Sequence, residues 1–157
     1  MSPRRYYRSR TTRPKQRYSV ENVLLDLVTT EDTSLVSVFG RQGIQDIVPA
    51  LSSNIPRKVS HIHLHFDAQS VDICFAVVYV PAGYTPNFLG LTADSPNLYN
   101  PNQFLMGTGY VVAGGKVNFT IPTKRILHSG DNIRLIIATN VSGTGTQFAA
   151  KYAICAL

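Results

Sequence analysis

The chain has 157 residues and a mass of 17.3 kDa, which suits one domain. Hydrophobic residues make up 44%, enough to exclude a wholly disordered chain, yet no apolar run reaches the ~20 residues that a membrane helix needs. Charged residues are only 15%, against about a quarter in ordinary soluble domains, so this surface offers water little charge and suits a protein covered by copies of itself. The N-terminus is basic and has no apolar segment behind it, so no secretory signal is expected. Cys74 and Cys155 are too few for a disulfide framework or a structural zinc site, and a reducing compartment is the simpler expectation.

The charge is unevenly placed. Residues 1–17 carry Arg4, Arg5, Arg8, Arg10, Arg13, Lys15 and Arg17 and no acid, a balance of +7. Residues 18–157 hold the other eight basic side chains and all nine acids, a balance of −1. The whole excess thus lies on one short arm attached to a near-neutral body. Pro3 and Pro14 oppose helix in the arm, and it has too little apolar surface to bury, so it reads as disordered when free. Arginine presents a planar fork that matches phosphate oxygens in pairs. Tyr6 and Tyr7 stand between arginines, where their rings can stack on unpaired bases. Nucleic-acid binding through these nine residues is the expectation. A solvated tail, or a nuclear import signal, is the weaker or compatible reading.

From Tyr18 onward, short apolar runs alternate with Gly, Pro, Asn, Asp and Ser, the pattern of an all-β domain. Eight strands are predicted. They are Tyr18–Val28, Ser34–Phe39, Arg57–Phe66, Val71–Val80, Phe104–Val112, Lys116–Ile121, Ile133–Thr139 and Gln147–Cys155. A helical turn is expected around Ile44–Val48, ended by Pro49. In the third strand Ile62, Leu64 and Phe66 alternate with His61, His63 and His65, which puts each set on its own face. The fourth strand is apolar on both faces and should be interior.

Turn chemistry separates these runs. Gly114-Gly115 reads as a tight hairpin between the fifth and sixth strands, and Ser129-Gly130-Asp131 as the turn into the seventh. Ser142–Thr146 links the last two. The connection from Pro81 to Gln103 holds four prolines but also Tyr84, Phe88, Leu89, Leu91, Leu98 and Tyr99, so it should pack on its own domain or on another chain. Eight strands without repeats or βαβ units imply a single eight-stranded antiparallel jelly roll over residues 18–157. An immunoglobulin-like sandwich is second, lacking any Trp.

A basic, Tyr-interleaved arm, PRRYYRSR, leading straight into eight strands resembles the coat proteins of small circular single-stranded DNA viruses, circovirus-like in the broad sense. The segment ILHSGDNIRLIIAT, where a Gly-Asp turn launches a late apolar strand, adds to the likeness. The arm is lighter and the chain shorter than in the circovirus type. The resemblance implies a viral-coat jelly roll, a T=1 icosahedral shell of about 60 self-assembled copies, and a packaged single-stranded viral genome. It also implies host import machinery acting on a nuclear localisation signal, and a cell-surface receptor. The locations implied are the virion and, during assembly, the host nucleus. No membrane insertion, cofactor or enzyme activity is expected.

Other constellations compete. His61, His63 and His65 invite a metal reading, because cupin enzymes are jelly rolls with a His-x-His pair. No glutamate follows here; Asp67 and Asp72 are the nearby acids, and His128 is misplaced. The histidines are therefore weak metal candidates, better suited to touching a neighbouring chain or nucleic acid, where they could act as a pH switch. Arg57-Lys58 and Lys124-Arg125, at predicted strand ends, meet either phosphate or ordinary salt-bridge partners. The sequons at Asn118 and Asn140 read as chance, and both cysteines as small buried residues. The alternatives carried forward are a coat protein of a small RNA or satellite virus, a cupin-type metalloprotein and a soluble nucleic-acid-binding module.

Overall fold

The computed structural model describes residues 17–26, 30–31, 41–68, 71–85, 90–92, 95–97, 104–139 and 147–157. The predicted strand at Ser34–Phe39, the Ser142–Thr146 link and all of the arm except Arg17 lie outside these residues. Among the described residues, eleven strands are formed: β1 (Ser19–Asp26), β2 (Thr30–Glu31), β3 (Arg41–Val48), β4 (Arg57–Asp67), β5 (Ile73–Val80), β6 (Gly90–Thr92), β7 (Ser95–Asn97), β8 (Phe104–Val111), β9 (Lys116–Leu127), β10 (Asn132–Thr139) and β11 (Gln147–Ala156). Eight of them are long and antiparallel, and with the two-residue β2 at one edge they form two sheets. One sheet runs β1-β11-β4-β9, and the other runs β2-β3-β10-β5-β8. β6 and β7 pair with each other, so the Pro81–Gln103 connection contains a small hairpin.

The period-two pattern decides which residues meet between the sheets. Ile62, Leu64 and Phe66 of β4 turn inward, as do Ile73, Phe75, Val77 and Tyr79 of β5 and Ile133, Leu135 and Ile137 of β10. Phe148, Ala150 and Tyr152 of β11 complete the same cluster. Phe66 is its centre: its ring lies 4.6 Å from Phe75, 5.8 Å from Phe148 and 6.4 Å from Phe119. As its composition requires, β5 is interior and buried on both faces. Ala76, Val78 and Val80 form a second cluster with Ile136 on the side away from the main core.

Three expectations are corrected. Residues 44–48 are the end of strand β3, not a helical turn. Ile44 pairs opposite Ile136, and Asp46 opposite Arg134 with a 2.7 Å ion pair, so a neighbouring strand satisfies the segment that local propensity left ambiguous. The sixth strand does not stop at Ile121 but continues to Leu127. β9 is an edge strand, where Pro122 costs no ladder bond, and the register shifts between Ser60 and Ile62 of its partner β4. The Gly114-Gly115 turn is not a hairpin, because β8 and β9 belong to different sheets. Gly114 takes φ +77°, Gly115 N–H donates to Val112 O at 2.9 Å, and Ala68 N–H donates to Gly115 O at 3.0 Å, which fastens this crossover to the end of β4.

Close approach explains Gly109. A Cβ there would lie 2.5 Å from Cζ of Phe75 and 2.7 Å from Cζ of Phe119. Gly109→Ala should therefore lose about 1–3 kcal/mol of stability, read as a lower denaturant midpoint at unchanged m value.

The turn before β10 is built on Asp131, which is buried. Its Oδ2 accepts from Tyr79 O–H and from His128 N–H, each at 2.8 Å, and its Oδ1 accepts from Ala82 N–H at 3.0 Å. Burial pushes this carboxyl upward, but the bonds from His128, Tyr79 and Ala82 prevail and hold it below the usual carboxylate value. A folded pKa below the unfolded one gives stability that is complete above the unfolded value and is lost as pH falls through the folded one. Asp131→Asn should thus cost about 2 kcal/mol at pH 7, and the gap from the parent chain should close as pH drops below about 4 in urea titrations.

Candidate nucleic-acid interface

β4 places its odd-numbered histidines outward for the same reason that it places Ile62, Leu64 and Phe66 inward. His61, His63 and His65 are all exposed. His63 Nδ1 lies 2.9 Å from Thr120 Oγ1, and His65 Nδ1 lies 2.6 Å from Asn118 Oδ1, so β9 holds both rings. His61 sits at the β4 register shift with φ +53°, and its Nδ1 lies 2.6 Å from Ser60 Oγ. Among the described residues, no group of three or more His, Cys, Asp or Glu side chains could hold a metal ion.

Antiparallel register identifies what shares this face. Lys151 of β11 is opposite both His63 and Asn22 of β1, and Ala149 is opposite both His65 and Leu24. Ala153 is opposite Val20. Two hollows indent the face, of about 490 and 230 Å³, and both are lined by His63 and Lys151. At the far end, Lys58 and Ser60 flank the core residue Val59 and so point to the outer side. Lys124 is opposite Ser60 and shares that side.

The structure brings the two predicted basic pairs together on adjacent strands but splits them between faces. Arg125 is opposite core residue Val59, and its guanidinium carbon lies 3.9 Å from the Tyr79 ring centroid and 5.2 Å from that of Phe104. That places Arg125 in cation–π contact on the inner side. Arg57 donates from Nη2 to Pro49 O at 3.1 Å and lines a separate cavity of about 580 Å³ with Arg17, Tyr18, Glu21 and Tyr152. Of the four, Lys58 and Lys124 alone lie on the histidine face. Arg4, Arg5, Tyr6, Tyr7, Arg8, Arg10, Arg13 and Lys15 lie outside the described residues. Lys151 was missed by sequence reasoning. Its position in FAAKYA, alternating with Phe148, Ala150 and Tyr152, marks it as outward, but nothing local shows that β11 runs beside β4.

The described acids are sparse here. Asp67 follows the histidines on β4 and pairs with Lys116 at 3.0 Å, and Asp26 ends β1 opposite Gln147, against four lysines, Lys58, Lys116, Lys124 and Lys151. The face is therefore cationic, with amide and hydroxyl groups between the cations. Such a surface suits a polyanion.

Among the described residues, no helix is long and apolar enough to cross a membrane. No protein-family model matches the sequence, and no curated protein matches it. Among solved structures, the chain is similar to one titled as the structure of the infectious bursal disease virus Gx strain, with 14% sequence identity and a TM-score of 0.31. The match covers 88% of this chain and 33% of that one, so this chain spans about a third of the length of the protein it matches.

Proposed function

We propose that the chain is a viral capsid protein: a jelly-roll subunit that assembles with copies of itself into a closed shell and packages single-stranded DNA through its basic N-terminal arm. The observation that carries this reading is the joining of the two parts. A segment with seven cations and no acid runs directly into β1, an edge strand of a two-sheet body whose own charge is close to zero. A near-neutral body can pack beside its copies without strong repulsion, while the arms neutralise phosphate and release its counterions.

The strand order supports the jelly roll. Counting only the eight long strands, one sheet holds the first, eighth, third and sixth, and the other holds the second, seventh, fourth and fifth. Every connection except fourth-to-fifth crosses between the sheets, as two interleaved Greek keys require. Sixty copies would present about 420 arm charges to a genome. The role is structural, with no reaction catalysed. Nuclear import through the arm belongs to the same proposal.

Sedimentation velocity of the full chain, with absorbance of the fast fraction at 260 and 280 nm, tests this reading. A single fast species rich in DNase-sensitive nucleic acid is the expected result. RNase-sensitive cargo would replace the DNA coat with an RNA coat. A slow species that binds oligonucleotides without assembling would replace the capsid with a soluble binding module.

A further inference from the structure

We infer that the outer face of the four-stranded sheet is a second seat for single-stranded nucleic acid, separate from the arm; this rests on the reading of the chain as a packaging protein. The seat is a groove along β11. Its floor is Ala149, Lys151 and Ala153, where two of the three side chains are single methyl groups. One wall is His61, His63 and His65 of β4, and the other is Val20, Asn22 and Leu24 of β1, with Val20 53% and Leu24 72% exposed. The hollows of about 490 and 230 Å³ lie next to each other on this face and share His63 and Lys151 as lining residues.

The chemistry of the lining selects the occupant. Lys58, Lys124 and Lys151 lie on this face; of its acids, Asp67 is paired with Lys116, and Asp26 stands at the end of β1, opposite Gln147. An anionic chain is favoured. The arm carries seven cations and no acid, so like charge disfavours it as the occupant. Histidine rings stack on unpaired bases, and alternate strand positions set such rings ~7 Å apart, about two stacked nucleotides at ~3.4 Å each. His63 and His65 are held at Nδ1 by Thr120 and Asn118, so little ring freedom is lost on binding. Exposed Val20 and Leu24 give base faces an apolar surface opposite the imidazoles. The contacts are to phosphate charge and ring faces, so no sequence preference is expected.

The test is photocrosslinking of the full chain to oligothymidylate carrying 4-thiothymidine, with adducts mapped by mass spectrometry. Adducts are expected in peptides covering 57–67 and 147–156 as well as in residues 1–17. The double variant His63→Ala, His65→Ala should lower the first set roughly tenfold while leaving the arm adducts unchanged. Both histidines are exposed, and an unchanged thermal midpoint would confirm that the variant is folded. Adducts confined to residues 1–17, or sheet adducts indifferent to the double variant, would overturn the second seat while leaving arm-driven packaging intact. No adducts at all would overturn both.

Discussion

Phe66→Ala should be the most damaging single core substitution, lowering stability by about 3–5 kcal/mol. The ring is fully buried and touches phenylalanines from three other strands: Phe75 on β5, Phe119 on β9 and Phe148 on β11. β5 belongs to one sheet, and β9 and β11 to the other. Truncation therefore opens a cavity at the joint between the sheets, not at a rim that could relax into solvent. The walls of that cavity are strands held in register on both sides, which limits collapse. Calorimetry of parent and variant at one protein concentration should show a midpoint lower by roughly 10 °C or more. A shift near zero would mean that the aromatic cluster does not tie the sheets together.

The second large effect concerns affinity. Replacing Arg4, Arg5, Arg8, Arg10, Arg13, Lys15 and Arg17 by Gln removes the whole positive excess of the chain without touching the two-sheet core. With seven arm contacts and three sheet lysines on a single strand, the logarithm of affinity should fall against the logarithm of salt with a slope of about −7, of which about −5 belongs to the arm. The variant should keep a slope of only about −2, the contribution of three lysines on the sheet. Fluorescence anisotropy with a labelled oligonucleotide at several salt concentrations measures both. The affinity lost at low salt should be on the order of 10³-fold or more. Equal slopes for parent and variant would refute a role for the arm in binding.

What the sequence made legible follows from local rules. Alternation identified β4 and its two faces, and continuous apolarity marked β5 as an interior strand. The boundaries of β1, β8, β10 and β11 lie close to those expected from turn residues and β-branched runs. The failures share a cause. Residues 41–48 contain Gly43, Gln45 and Asp46, a poor strand by propensity, and become β3 because β10 supplies Ile136 and Arg134 as partners. Gly114-Gly115 looks like a hairpin locally, yet which sheet receives β9 is decided by β4, far away in sequence. Pro122 looks like a terminator, yet an edge strand tolerates it. The candidate interface shows the same limit. The histidines are visible from their spacing, while Lys151, Asn118 and Thr120 join them only through pairing between strands.

The capsid reading is tested most directly by electron cryomicroscopy of the purified full-length chain. It predicts closed, uniform, roughly spherical shells of icosahedral symmetry, with density inside them that disappears when the seven arm cations are replaced. Dispersed single copies at high concentration, or open sheets and amorphous clusters with no closed shell, would contradict it.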